Sequence, residues 1–139
     1  MGTNYYMETE PCPHCGRSDE PVHIGKSSAG WCFALHVHPE RNINSLADWQ
    51  AEWAKPGVRI VDEYETALSP VEMERVITVR EFGDWPKDEP PTMYGSWKEF
   101  HRENRTEPGP NGLLRRAHDH WGRVGAGEGT WDLLEGDFS

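Results

Sequence analysis

Large aliphatic residues and phenylalanine are scarce in this chain, which limits the hydrophobic core that it can build. Leu, Ile, Val and Phe make up 23 of 139 residues, about 17%, below the ~20% at which a strongly charged chain is expected to be disordered. The net charge is −10. Seven Trp and four Tyr add buried area, and a bound metal can add folding free energy. We therefore expect a small folded protein that depends on its aromatic side chains and a metal.

The length favours one domain over residues 1–139, with a zinc-knuckle and hairpin part at about 5–40 and a helical and strand part at about 44–139. The most apolar stretch, Trp31 to Val37, is too short to cross a bilayer. The first ten residues lack the basic and apolar regions of a signal peptide. We therefore expect a cytoplasmic protein without a membrane span.

Alternation of apolar residues predicts short strands near both ends of the chain. Trp31, Phe33, Leu35 and Val37 should share one strand face, and the residues between them should share the other. This strand is expected to span 30–38, and further strands are expected at the four segments 5–9, 22–25, 58–64 and 130–138. The region 113–120 is expected to be helical.

Three helices are predicted to begin at Ser45, Ser69 and Ser96, because each is followed three residues later by an acid in the capping pattern. Trp49 and Trp53 lie on the apolar stripe of the first helix, and we expect them to form one aromatic core with Trp31. The resulting fold class is α+β, with a small antiparallel sheet, a zinc-knuckle hairpin and two to four short helices.

The most specific local motif is Cys12-Pro-His-Cys15, because two thiolates separated by two residues can bind one Zn²⁺ from a single turn. A hairpin over residues 22–38 would bring His23 and His36 close together on adjacent strands. The predicted zinc ligands are therefore Cys12, Cys15, His23 and His36. His38 and Cys32 remain open as substitutes.

The number of protein ligands decides which chemistry such a site could perform. Four ligands would make the zinc structural, whereas three would leave a position for water and allow catalysis. In the second case the chain could be a small metal-dependent hydrolase or nuclease that uses His118 or His120 for proton transfer. No nucleophilic triad or glycosidase carboxylate pair stands out, so no catalytic residue is assigned.

The segment from Asp62 to Glu89 has nine acids and three bases. This charge disfavours direct binding to DNA, because it would repel the phosphates. An acidic face could instead bind a basic protein surface, and Glu72, Glu74 and Glu81 are the residues assigned to it.

Gly25-Lys26-Ser27 is similar to the end of a phosphate-binding loop, but the glycine required five positions earlier is Glu20, which excludes a Walker motif. The segment is therefore expected to be a polar hairpin turn rather than an anion site.

Three segments of the chain carry a resemblance to a known group of proteins. They are Cys12-Pro-His-Cys15-Gly16-Arg17, the segment from His23 to Trp31, and the segment from Gly127 to Leu133. Together they resemble short, uncharacterised zinc-binding accessory proteins of tailed bacteriophages.

The resemblance implies a phage protein made in the cytoplasm of the bacterial host, with Zn²⁺ bound by Cys12, Cys15, His23 and His36. We expect such a protein to bind a host protein of unknown identity and to inhibit or redirect it. A defence complex or a nucleic-acid-handling complex would be a suitable target. The oligomeric state is not predicted.

Overall fold

The fold is described by a computed structural model for residues 2–10, 14–15, 20–81, 93–116, 123–126, 129–136 and 138. Within these ranges the chain forms nine strands and three α-helices. The strands are β1 (Gly2–Thr9), β2 (Val22–Ser28), β3 (Phe33–His36), β4 (Val58–Asp62), β5 (Ala67–Leu68), β6 (Thr106–Pro108), β7 (Leu114–Arg116), β8 (Arg123–Ala126) and β9 (Trp131–Leu134). The helices are α1 (Leu46–Trp53), α2 (Pro70–Thr78) and α3 (Trp97–Asn104). None of these helices is long and apolar enough to span a bilayer.

Seven strands form one sheet in the order β5-β4-β1-β2-β3-β9-β8, and β6 pairs with β7 in a separate two-stranded sheet. The α+β class is confirmed. The sheet is larger than expected and is mixed rather than antiparallel, because β3 and β9 are parallel. A parallel pair needs a crossover connection, and here residues 37–130, about two thirds of the chain, lie between the two strands.

The main core lies on one face of the large sheet, where α1 and α2 cover it. Trp49 and Trp53 of α1 and Met73 and Ile77 of α2 are buried there. The strand residues that complete this cluster include Ile24, Phe33, Leu35 and Ile60. The rings of Trp49 and Trp53 stack with centroids 6.1 Å apart, so aromatic area adds to that of a small aliphatic set.

All three predicted helix starts are confirmed. The hydroxyl groups of Ser45, Ser69 and Ser96 each accept a hydrogen bond from the backbone amide three residues later. At Ser69 the box is complete, because the Glu72 carboxylate also accepts from the Ser69 amide at 3.0 Å. The sequence pattern worked here because capping depends only on local contacts.

Two sequence-based expectations are wrong. Trp31 does not join Trp49 and Trp53, because it packs in a separate cluster with Phe100 and Leu114. It lies outside β3 and forms an isolated bridge to Leu114. The predicted helix at 113–120 is also wrong in its described part, where residues Leu114–Arg116 form β7. The contact of Trp31 with Leu114 joins residues far apart in sequence, whereas β7 forms because residues 114–116 pair with the nearby strand β6.

The close approach of β2 to β3 depends on Gly25. A Cβ atom at this position would lie 2.1 Å from the carbonyl oxygen of Ala34 and 2.5 Å from the ring of Phe33. A backbone oxygen in a paired strand cannot move away as a flexible side chain can. Gly25 is therefore required here for space.

Replacing Gly25 with Ala should consequently lower the free energy of unfolding by about 1–3 kcal/mol, the usual cost of overpacking. Thermal or denaturant unfolding would measure the change. Gly95→Ala is the matched control, because its Cβ would meet only the flexible carboxylate end of Glu99, at 3.1 Å. Equal stability of the Gly25→Ala variant and the unsubstituted protein would contradict the described strand packing.

Candidate metal centre

His23 and His36 lie on the face of the large sheet opposite to the helices. Their sequence neighbours Ile24 and Leu35 are fully buried in the main core, and successive residues of a strand point to opposite faces. The strands pair through Gly25 with Leu35 and Lys26 with Ala34. The predicted hairpin is therefore present, and it brings the two histidines together as expected.

The two imidazole rings face each other through their Nδ1 atoms, which are 2.9 Å apart. Two nitrogen ligands of one tetrahedral Zn²⁺, each at about 2.0–2.1 Å from the metal, would be about 3.3 Å apart. Binding one zinc ion would thus require this separation to widen by a few tenths of an ångström and the rings to turn so that both Nδ1 lone pairs point at the metal. Without a metal, one Nδ1–H donates to the other Nδ1.

Asn4 of β1 determines the tautomer of His23. Its side-chain oxygen Oδ1 lies 2.8 Å from His23 Nε2, and an amide oxygen can only accept, so His23 Nε2 carries the proton. A neutral His23 then presents a lone pair at Nδ1, towards His36. Metal-binding histidines are usually oriented by such an acceptor on their second ring nitrogen.

The surroundings keep His36 neutral. Burial is the main cause that lowers the pKa of His36 to about 3, and electrostatic repulsion from a proton on the neighbouring His38 or His23 lowers it further. The ring centroid of Phe138 lies 4.8 Å from that of His23 and 4.9 Å from that of His36. Tyr6 also packs against His23. A neutral imidazole in an apolar surrounding is the form that binds a metal.

His38, which the sequence left open as a substitute zinc ligand, uses both of its ring nitrogens in other contacts. Its Nε2 donates to the backbone oxygen of His23 at 2.9 Å, and its Nδ1 lies 3.5 Å from the exposed carboxylate of Glu40. Its ring stacks on that of His36, with centroids 4.0 Å apart. His38 therefore holds the backbone of β2 and the ring of His36 in place.

The predicted thiol ligands are less well defined by the structure. Cys15 is exposed, and Cys12 lies outside the described residues. Among the described residues, no group of three or more His, Cys, Asp and Glu side chains is arranged to hold one metal ion. Cys32 is buried and interacts with Arg115 and Asp132. The four-ligand zinc site therefore stays a prediction, supported by the histidine pair.

The residues of the predicted acidic surface are exposed. Glu72 and Glu74 lie on α2 and Glu81 follows it. Glu72 also has a structural role in the capping box, where its hydrogen bonds to Ser69 lower the pKa of the carboxyl group. The part of the acidic segment from residue 82 onward lies outside the described residues.

Comparison with protein-family models, curated proteins and solved structures finds no match for this chain. The site therefore has to be interpreted from its own geometry. Sequence reasoning did not identify Asn4 or Phe138 as parts of it. Strand alternation places Asn4 and Tyr6 on one face, but a bulge between Tyr5 and Tyr6 shifts the register against β2, so the contact with His23 was not predictable.

The indole of Trp49 connects the main core to this site. Its Nε1 donates to the backbone oxygen of His36 at 2.7 Å, and the bond is buried. The indole Nε1 of Trp53 is also buried but has no hydrogen-bond partner among the described residues. The two tryptophans thus differ in the polar contact that they make from the same helix.

Trp49→Phe should therefore destabilise the protein more than Trp53→Phe. Both variants lose similar ring volume, but only the first leaves a buried carbonyl without its donor, which typically costs about 1–3 kcal/mol. Denaturant unfolding of the two variants measures the difference. A larger loss in Trp53→Phe would show that the hydrogen bond to His36 contributes little.

Proposed function

We propose that the protein is a zinc-stabilised accessory protein of a tailed bacteriophage that binds a host protein and inhibits or redirects it. The zinc-binding part of this proposal rests on the short distance between the Nδ1 atoms of His23 and His36, which are 2.9 Å apart. The bacteriophage origin rests on the resemblance of the cysteine, histidine and C-terminal segments. A host defence or nucleic-acid-handling complex is the proposed class of target.

The proposed metal site combines the histidine pair with Cys12 and Cys15. Two thiolates and two imidazoles make a donor set that zinc prefers in structural sites. A zinc ion held in this way supplies folding free energy, which suits a chain that is poor in aliphatic residues. His23 is oriented by Asn4, and His36 is held by the indole of Trp49 through its backbone.

The proposed binding surface is centred on α2 and the turn between β4 and β5. Glu74 and Glu81 are exposed there. Three large apolar side chains of the same segment are also exposed, namely Tyr64 at 72%, Val71 at 62% and Val79 at 74%. Acidic groups beside apolar ones suit a partner with a basic surface that also offers apolar contacts.

Purified without added metal, the protein should contain one Zn²⁺ per chain. Variants of the four proposed ligands should lose it, because each removes one bond to the ion. They are Cys12→Ser, Cys15→Ser, His23→Gln and His36→Gln. Asn4→Ala should keep the ligands but weaken zinc binding by about 10–100-fold. Elemental analysis and chelator competition measure both effects.

The matched controls are Cys32→Ser and His38→Gln, which should retain the ion. If one of these controls loses zinc and a variant of a proposed ligand retains it, the control residue would replace that ligand in the proposed site. A fully folded protein that contains no metal would contradict the zinc site.

Partner binding should depend on charge. The double variant Glu74→Lys/Glu81→Lys should fail to retain the host protein that the unsubstituted protein captures from host lysate. The captured complex should also dissociate as salt rises, because exposed charges are screened over about 8 Å at physiological ionic strength. Quantitative mass spectrometry of the captured proteins measures the loss.

Glu20→Lys/Glu103→Lys is the matched control, since it changes the net charge equally at two exposed positions elsewhere. Glu72 should be changed only to Gln, which can still accept the capping hydrogen bond from Ser69. Equal capture by both double variants would contradict the acidic surface. Consumption of an ester or nucleic-acid substrate by catalytic amounts of protein would instead favour the hydrolase or nuclease hypothesis, whose His118 and His120 lie outside the described residues.

A further inference from the structure

A cavity of about 230 Å³ lies on the same sheet face as the histidine pair, over β2, β3 and β9. Lys26, Ala34 and Asp132 line it, and strand pairing aligns them in one row, Lys26 opposite Ala34 and Ala34 opposite Asp132. Neighbouring strands are about 4.8 Å apart, so the two outer residues of the row are separated by about 10 Å. The central residue contributes only a methyl group, which leaves space between the side chains of Lys26 and Asp132.

The charges around this cavity are mainly positive, although the chain as a whole is acidic. Asp132 is buried and its Oδ1 lies 2.6 Å from Nε of Arg115, so the one carboxylate in the lining has a cation beside it. Lys26 and Arg116 add two more positive charges to the wall. Among the described residues, those with charged side chains that line the cavity are thus the two cations Lys26 and Arg116 and the anion Asp132.

Arg116 is held in a defined orientation. Its guanidinium carbon lies 5.3 Å from the ring centre of Trp31, a typical cation–π distance. Burial lowers the pKa of Arg116, which reflects the cost of keeping a positive charge away from water. The Asp132 carboxylate offsets part of this cost, and an anion in the cavity would add to that stabilisation.

The remaining walls supply apolar contact. Trp31 and Phe138 both line the cavity. A pocket that combines convergent cations with aromatic walls is suited to a ligand with a charged head and a flat apolar part. The volume corresponds to about seven or eight water molecules, which limits the ligand to roughly one ring and one oxyanion group.

We propose that this cavity binds a small organic oxyanion, with its phosphate or carboxylate group between Lys26 and Arg116 and its apolar part against Trp31 and Phe138. The site is separate from the proposed zinc site, and Phe138 lies between them. It therefore does not depend on the proposed function. Lys26, expected from the sequence to belong to a simple polar turn, here forms part of β2 and of a binding pocket.

Isothermal titration calorimetry on the full chain as purified tests the site. The probes are phenyl phosphate, benzoate and inorganic phosphate, with benzyl alcohol as the uncharged comparison. We expect saturable binding of phenyl phosphate or benzoate, weaker binding of inorganic phosphate and none of benzyl alcohol. Whichever of phenyl phosphate and benzoate binds with the higher affinity identifies the preferred head group.

Two variants should each weaken binding of the preferred probe at least tenfold. Lys26→Met removes the charge but keeps the length of the side chain, and Ala34→Leu fills the space in the centre of the row. The matched control is Lys55→Met, at an exposed lysine that pairs with Glu52 on α1, and it should bind normally. Zinc content should be unchanged in Lys26→Met, which separates this test from that of the metal site.

No saturable binding of any probe up to about 10 mM would overturn the proposal. Unchanged affinity in Lys26→Met would also overturn it, even if Ala34→Leu fails to fold. Binding that is lost equally in Lys55→Met would show a general charge effect rather than this site.

Discussion

The pairing of β3 on both of its sides is the constraint on which the rest of the structure depends. This strand lies in the sheet between β2 and β9, antiparallel to the first and parallel to the second. Its side chains alternate, so Phe33 and Leu35 enter the main core while Ala34 and His36 face the other side. One strand of four residues thus fixes the core, the histidine pair and the floor of the cavity at the same time.

Two polar side chains, Trp49 and Arg80, hold this strand and the connection that leads into it. The indole of Trp49 binds the backbone oxygen of His36 from α1. The guanidinium of Arg80 binds Ser27 Oγ at 2.7 Å, the Ser28 oxygen at 2.8 Å and the Trp31 oxygen at 3.1 Å. Arg80 therefore holds the connection between β2 and β3 from the end of α2. Such bonds let a small core position both sheet faces, because they satisfy backbone groups that packing alone would leave unpaired.

Local features of this fold were predictable, and non-local ones were not. The caps at Ser45, Ser69 and Ser96 and the hairpin between His23 and His36 depend on residues close in sequence. The parallel pairing of β3 with β9 and the contact of Trp31 with Leu114 join residues far apart, and no periodicity specifies them. Asn4 was missed for the same reason, since its contact with His23 depends on the register of β1. Cys12 and His118 lie outside the described residues, so their predicted roles rest on the sequence pattern.

The charge distribution of the molecule separates its proposed activities in space. Glu72, Glu74 and Glu81 of the proposed binding surface lie on α2 and beside it, on the helix-covered side of the sheet, whereas Lys26 and Arg116 line a cavity on the other side. A single surface could not serve both purposes, because carboxylates close to the cavity would repel an oxyanion and cations on α2 would repel a basic partner. Phe138 makes a similar separation on a smaller scale. Its ring contacts both histidines and also lines the cavity, so it keeps an apolar layer between the proposed metal ligands and a bound anion that could compete for the metal.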